Sequence, residues 1–218
     1  MTAVNPVHQI DQTFFYIIGI SLVLLLLITT TMIYFVVRYR RDKHPHPANI
    51  RGNWILEVIW TIVPTLIALS MFYFGWTSYV GLKNVPPGAL EIEVIGEMYA
   101  WIFVYPDGRE TENQLIVPQG RAVKLNVTSN DVLHSLFISA FRLKVDAVGG
   151  MHSYSWFLAE KLGEYDIQCT EFCGSGHADM RGILKVVPEQ EYLNWLATEP
   201  EENDFEDEEP EDDEKGEE

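Results

Sequence analysis

The sequence predicts an N-terminal two-helix transmembrane hairpin, then an all-β domain, then a disordered acidic C-terminal tail. Three observations carry that expectation. Two long uncharged runs stand near the N-terminus, short alternating segments fill the chain beyond residue 88, and most of the net charge of -17 sits in the last twenty residues.

Residues 1–13 precede the first apolar run and are read as a short extracytoplasmic segment. Phe14 to Val37 then form FFYIIGISLVLLLLITTTMIYFVV, and a second uncharged run covers Val58 to Leu82. Each reaches the roughly 20 residues that a helix needs to cross a bilayer. We place the two spans at 14–37 and 55–82. A signal peptide is the competing reading of the first run, but MTAVNPVHQIDQT has no Lys or Arg, and the run ends in aromatic and β-branched residues. The intervening link, 38–54, carries Arg38, Arg40, Arg41, Lys43 and Arg51. The positive-inside tendency puts that link in the cytoplasm and both termini on the other side.

VPPG at 85–88 ends the second helix and opens a domain over 86–198. Seven segments read as strands: 90–95, 99–105, 121–128, 134–139, 153–159, 164–169 and 183–187. Turn signals PDG, PQG, GG and LGE separate several of them. Short strands at this spacing predict a β-sandwich or barrel. The segment EQEYLNWLA adds one short helix. From Glu199 onward the chain holds 14 acidic residues and one lysine, leaving a net of only -4 for the remainder. Such a segment repels itself and has little to bury, so 199–218 is expected to be disordered. Nothing in the charge pattern favours nucleic acid.

Chemistry concentrates in "CTEFCGSGHADM", residues 169–180. The two cysteines are four apart on the side of the membrane where thiols oxidise, so a Cys169–Cys173 disulfide is one reading. It would close too small a loop to stabilise much. A structural zinc site is another reading, with His177 and a distant histidine completing a tetrahedron. Zinc has no use for Met180. Thiolate, imidazole and thioether together select copper, and two cysteines exceed the single one of a mononuclear blue-copper site. Two thiolates bridging two coppers need one further imidazole, and His134, opening the strand HSLFIS at the edge of a sheet, is the best candidate. His8, His44, His46 and His152 have no soft-ligand cluster beside them.

These residues closely resemble cytochrome c oxidase subunit II, over nearly the whole chain before the tail. "CTEFCGSGHADM" is similar to that family's C-x-E-x-C-x3-H-x2-M loop, "DVLHSLFISAFRLKVDAVGG" to the strand that brings the second histidine, and "LEVIWTIVPTLIAL" to its second transmembrane helix. The resemblance implies a cupredoxin-like Greek-key domain with a binuclear copper centre, CuA. In it Cys169 and Cys173 bridge the coppers, His134 and His177 are terminal ligands, Met180 is a weak ligand, and Glu171 ligates through its carbonyl. It also implies magnesium at the interface with subunit I, reached by the Glu171 side chain, with Asp146 nearby. Glu57 matches the glutamate at the mouth of a proton-uptake pathway. Tyr99 stands where the family has its electron-entry tryptophan, and Trp101 matches the last position of the same motif; both are candidates for electron entry. Ser139 and Gly149 replace prolines of the usual pattern.

What the resemblance implies is therefore an oxidoreductase subunit in a bacterial inner membrane. It takes electrons from cytochrome c or a membrane-bound cytochrome and passes them to haem in subunit I, where oxygen reduction is coupled to proton pumping; subunit III is a further partner. A membrane-anchored copper carrier and the structural subunit of a quinol oxidase are the alternatives. No C-x-x-C-H motif is present for a covalently attached haem.

Overall fold

The computed structural model describes residues 5–46, 49 and 51–198. The acidic tail from Glu199 lies outside the described residues. The two apolar runs are helices, α1 (Pro6–Arg38) and α2 (Trp54–Lys83). Both extend beyond the spans read from hydropathy because capping, not hydropathy, sets their ends. The Asn5 side chain accepts the Val7 N–H and Pro6 occupies the first turn, so polar residues before Phe14 join the helix. At the start of α2 the Asn53 side chain accepts from Ile55 and Leu56, and Glu57 places a carboxylate in the first turn.

The helices meet through a polar seam. Thr13 Oγ1 and Ser78 Oγ are 2.8 Å apart, Ser78 Oγ donates to the Gln9 carbonyl at 3.2 Å, and Tyr16 Oη lies 2.6 Å from Ser70 Oγ. Their remaining faces are apolar and bare, with Leu26, Val36, Trp60 and Phe72 exposed. Two adjacent helices of 33 and 30 residues presenting Leu, Val, Trp and Phe outward are suited to lipid or to neighbouring helices, not to water.

The β-domain pairs two five-stranded sheets. The first contains β1 (Leu90–Glu97), β2 (Ala100–Val104), β3 (Glu110–Glu112), β5 (Ala122–Ser129) and β8 (Ser153–Leu158), in the order β3-β2-β1-β5-β8. The second contains β4 (Gln114–Pro118), β6 (His134–Ile138), β7 (Leu143–Ala147), β9 (Gly163–Cys169) and β10 (Arg181–Val187), in the order β4-β10-β9-β6-β7. Alternation along β1 shows why the sheets face each other: Leu90, Ile92 and Val94 point inward while Glu91 and Glu93 point to solvent. Val94, Phe103, Leu125, Leu136, Phe157, Ile167 and Leu184 fill the space between the sheets.

Strands β3, β4 and β7 were not among the expected segments. Glu110–Glu112 has no apolar residue and is a strand only because its backbone pairs with β2. In β4 the run Leu115–Val117 is buried without alternation, since α3 (Glu189–Ala197) covers it from outside. Tyr99, expected inside a strand, belongs instead to the turn of the β1–β2 hairpin, where Glu97 pairs with Ala100.

Two polar anchors tie β4 and α3 to the first sheet. Tyr105 Oη donates to the Ile116 carbonyl at 3.2 Å and accepts the Ile116 N–H at 2.8 Å, with its ring 4.9 Å from Trp195. The Arg109 guanidinium donates to the carbonyls of Trp195 and Leu196 at 2.9 and 3.1 Å and to that of Thr198, satisfying the end of α3. The domain also rests on the hairpin. Trp156 Nε1 donates to the Gly81 carbonyl at 3.2 Å and Arg142 Nε to Asp11 at 3.0 Å.

Tyr105→Phe leaves the Ile116 amide and carbonyl buried without their partner. We expect chemical denaturation, followed by tryptophan fluorescence, to show a loss of about 1–3 kcal/mol. A change within ~0.5 kcal/mol, the range of inert surface substitutions, would contradict the role assigned to this hydroxyl.

Candidate metal centre

Residues 169–180 connect β9 to β10, and the antiparallel pairing of those strands closes the loop at its base. The Cys169 N–H donates to the Met180 carbonyl at 3.2 Å, and the Thr170 N–H donates across to the Ser135 carbonyl at 2.9 Å. Inside the loop a short 3-10 turn, His177–Asp179, folds the chain back, with the His177 N–H donating to the Gly174 carbonyl. The loop is therefore stitched to itself and to β6.

That stitching gathers the donor atoms. Cys169 and Cys173 are free thiols, both buried, with their sulfurs 4.0 Å apart. Each has its own imidazole: His134 Nδ1 lies 3.9 Å from Cys169 Sγ, and His177 Nδ1 lies 3.6 Å from Cys173 Sγ. Met180 Sδ is 3.8 Å from Cys173 Sγ, and the Glu171 carbonyl oxygen is 3.3 Å from Cys169 Sγ. Two imidazoles, one thioether and one carbonyl, all named by the sequence reading, thus surround the pair of cysteine sulfurs.

The donors fall into two halves, one around each sulfur. His134, Cys169 and Cys173 offer ligand atoms within 4.8 Å of one another, and His177 is not part of that group. A single tetrahedral zinc needs all four donors about 3.5–4 Å apart around one ion, given ordinary Zn–S and Zn–N lengths. One imidazole per sulfur, with a thioether beside them, suits two soft ions sharing the thiolates. Burial pushes the Cys173 thiol up to about 11, with the neighbouring Cys169 adding to the effect. Without metal the Cys173 thiol therefore keeps its proton at neutral pH, and loading the site releases it.

His134 is wholly buried, 0% exposed, and its surroundings correct one expectation. Strand β6 is interior to its sheet, between β9 and β7. Pairing with β9 begins only at Leu136, however, so His134 faces β7 on one side and the thiol loop on the other. Its second ring nitrogen is held by a residue the sequence reading missed. His134 Nε2 lies 2.7 Å from Asp131 Oδ1, and Asp131 Oδ2 accepts the Met98 N–H at 2.7 Å. Burial works to raise the Asp131 carboxyl, but the bonds from His134 and from the Met98 and Val132 amides outweigh it and hold the group below its usual range. An ionised carboxylate on Nε2 fixes the tautomer that leaves Nδ1 free toward Cys169. The D-x-x-H spacing was the available signal, though it is too common in turns to stand out. Gly96 allows this packing, since a Cβ there would lie 3.0 Å from the His134 ring and 3.2 Å from Trp101.

Trp101 is also 0% exposed and meets the His134 ring edge-on at 6.0 Å, so it has no surface on which to meet a partner. Tyr99 is half-buried and does reach the surface. Its ring lies directly over the loop backbone, where a Cβ on Gly176 would come within 2.6 Å of it, and its hydroxyl is 3.2 Å from Ser175 Oγ. Phe172, between Glu171 and Cys173, is 77% exposed, with its ring 5.8 Å from that of His177. The Glu171 side chain is exposed. Asp146 accepts from Ser135 Oγ at 2.7 Å and Lys144 Nζ at 3.1 Å, and these two partners hold its carboxyl below the usual range. Glu57 lies far along the chain in the first turn of α2, beside a shallow hollow of about 330 Å³ that it lines with Trp54, Val58 and Thr61.

Fold and site together define a membrane-anchored, cupredoxin-like β-domain with a thiol–imidazole cluster at one end. Comparison with known proteins extends this. The family model described as the transmembrane domain of cytochrome c oxidase subunit II matches residues 2–75, and the model of its periplasmic domain matches residues 105–187. Cytochrome c oxidase subunit 2 of Cereibacter sphaeroides is 30% identical over 231 residues, covering 88% of this chain and 75% of that protein. A probable cytochrome c oxidase subunit 2 of Rickettsia bellii is 25% identical, covering 84% of this chain and 76% of the relative; for that of Rickettsia felis the chain spans 65% of the relative. The crystal structure of the periplasmic domain of cytochrome oxidase subunit II of Bradyrhizobium japonicum superposes with a TM-score of 0.51 at 31% identity, covering 52% of this chain and 95% of that one. The chain belongs to the cytochrome c oxidase subunit II family, the subunits of haem-copper oxidoreductase complexes.

Removing the Asp131 carboxylate frees the His134 ring. Asp131→Ala should weaken copper binding by roughly 10–100-fold in competition with a chromophoric chelator, as loss of an outer partner to a ligating histidine commonly does. Unchanged affinity would show that His134 needs no such orientation.

Proposed function

We propose that this chain is the electron-entry subunit of a terminal oxidase, holding two copper ions in a CuA centre. The observation that carries the reading is the pair of buried thiols 4.0 Å apart, each with its own imidazole. Cys169 and Cys173 would bridge the ions, His134 and His177 would bind one ion each, and Met180 and the Glu171 carbonyl would complete the set. When bound, the group supplies a one-electron relay between a cytochrome donor and haem in subunit I.

The chain's own contribution is rigidity and access. Ligands fixed by β9, β10 and β6, with Asp131 behind His134, are held in place before any charge changes, which keeps rearrangement on electron transfer small. Burial of both thiols and of Met180 excludes water. Tyr99, stacked on the loop between Cys173 and His177, and exposed Phe172 mark the surface through which a donor's electron reaches the site. We read Trp101 as part of the packing behind His134 and Tyr99 as the entry residue. Magnesium would lie between the Glu171 side chain and subunit I, with Asp146 ordering its surroundings. Glu57 would open the proton path into subunit I from the cytoplasmic side. The β-domain and both termini would face outward from a bacterial inner membrane, with subunits I and III as neighbours.

In the assembled oxidase, Cys173→Ser should cut turnover with a cytochrome donor on the order of 100-fold, matching the scale of a lost ligand arrangement. A small reductant that reduces the haem directly should still support oxygen uptake. Equal loss with both donors would place the defect outside electron entry. Glu57→Gln should slow proton uptake during turnover while leaving reduction by the donor unchanged; wild-type proton uptake would remove Glu57 from the path.

A further inference from the structure

Where α2 ends against the outer face of the first sheet, the chain leaves an open groove of about 490 Å³. It is lined by Lys83, Asn84, Gly88, Glu91, Lys124 and Tyr154. Lys124 and Tyr154 are far in sequence from the Lys83–Glu91 segment and join it because β1, β5 and β8 are neighbours in the sheet.

Two ammonium groups converge there on one phenol ring. Lys83 Nζ lies 5.1 Å from the Tyr154 ring centroid and Lys124 Nζ lies 5.7 Å from it. The ring is fixed in turn, since Tyr154 Oη donates to the Lys83 carbonyl at 3.4 Å. Like charges gathered this way repel unless an anion lies among them. The groove supplies only one carboxylate, Glu91, which takes Lys124 at 3.0 Å and Asn126 Nδ2 at 3.3 Å. Among the described residues no carboxylate lies within 4.0 Å of Lys83. The groove therefore carries one positive charge in excess and has room for a ligand that brings one negative charge.

Its position says what such a ligand is. Lys83 ends a helix that has no charged side chain from Val58 to Leu82, and Trp76 and Tyr79 stand one to two turns before it. Aromatic rings followed by a lysine mark the depth of the lipid headgroups. A phosphate group is the anion present at that depth, and lysines near a membrane surface attract it. We propose that this groove is a phosphate-group site, filled by the headgroup of a membrane phospholipid that seats the β-domain on the bilayer.

The same pair of ammonium groups would take inorganic phosphate, so the test carries both. The full chain in detergent micelles is titrated in native mass spectrometry with dioleoylphosphatidylglycerol, with sodium phosphate alone, and with sodium phosphate added to the lipid-bound sample. Wild type is compared with the double variant Lys83→Gln/Lys124→Gln, with the charge-conserving Lys83→Arg/Lys124→Arg, and with Lys161→Gln, away from the groove. Lipid retention by wild type, Lys161→Gln and the arginine variant, weakened on the order of 10-fold or more in the glutamine variant, supports a headgroup site. Loss of the lipid to millimolar phosphate with the same variant dependence supports the phosphate site and makes its occupant a free anion. Lipid and phosphate retention that is absent in wild type, or equal in wild type and the glutamine variant, overturns the proposal. Circular dichroism of each variant guards against loss of fold.

Discussion

The short pairing between β6 and β9 is the constraint on which the centre depends. Only Leu136↔Cys169 and Phe137↔Gln168 are in register, yet these two pairs set His134 beside the first thiol. A slip of one residue would turn every side chain of β6 to the other face, removing His134 from the sulfurs and putting Leu133 or Ser135 in its place. Two independent contacts hold the register. Thr170 donates to the Ser135 carbonyl just beyond the paired residues, and β7 pairs along the other edge of β6 from His134 to Ile138.

From this pairing the rest of the site follows as a connected piece of backbone. Cys169 is the last residue of β9 and Met180 immediately precedes β10, so the ladder between those strands determines how wide the ligand loop can open. Asp131 reaches from the turn before β6 to both His134 and the Met98 amide, tying the β1–β2 hairpin to the same ligand. That hairpin carries Tyr99 onto the loop between Cys173 and His177. Surface, loop and buried histidine are therefore joined by direct contacts, which suits the proposed role of a site that changes charge without changing shape. The hairpin adds position: its polar seam and the contacts of Trp156 and Arg142 hold the β-domain at the end of α2.

Much of this could be read before any coordinates. The spans of α1 and α2 were visible as uncharged runs, and the loop 169–180 announced itself through the chemistry of its donors. His134 was reachable because two thiols with one imidazole between them leave a ligand short. What escaped reading has physical reasons. The start of α1 depends on a single asparagine cap. Strand β3 has no apolar residue to betray it, and β4 lost its alternation because α3 covers its outer face. Asp131 acts through a ring nitrogen, and its only mark in the sequence is a D-x-x-H spacing that an ordinary turn also produces. Burial of Trp101 depends on the absence of a side chain at Gly96, and the lysine groove exists only once β1, β5 and β8 lie side by side.

In the proposed centre two sulfurs, each with its own imidazole, share a pair of soft ions. Copper analysis of the purified, copper-loaded full chain, combined with electron paramagnetic resonance of the same sample, tests this most directly. Two coppers per chain, with one unpaired electron distributed over both nuclei, is the predicted result. A single copper with a localised electron, or a Cys169–Cys173 disulfide in the loaded protein, would contradict it.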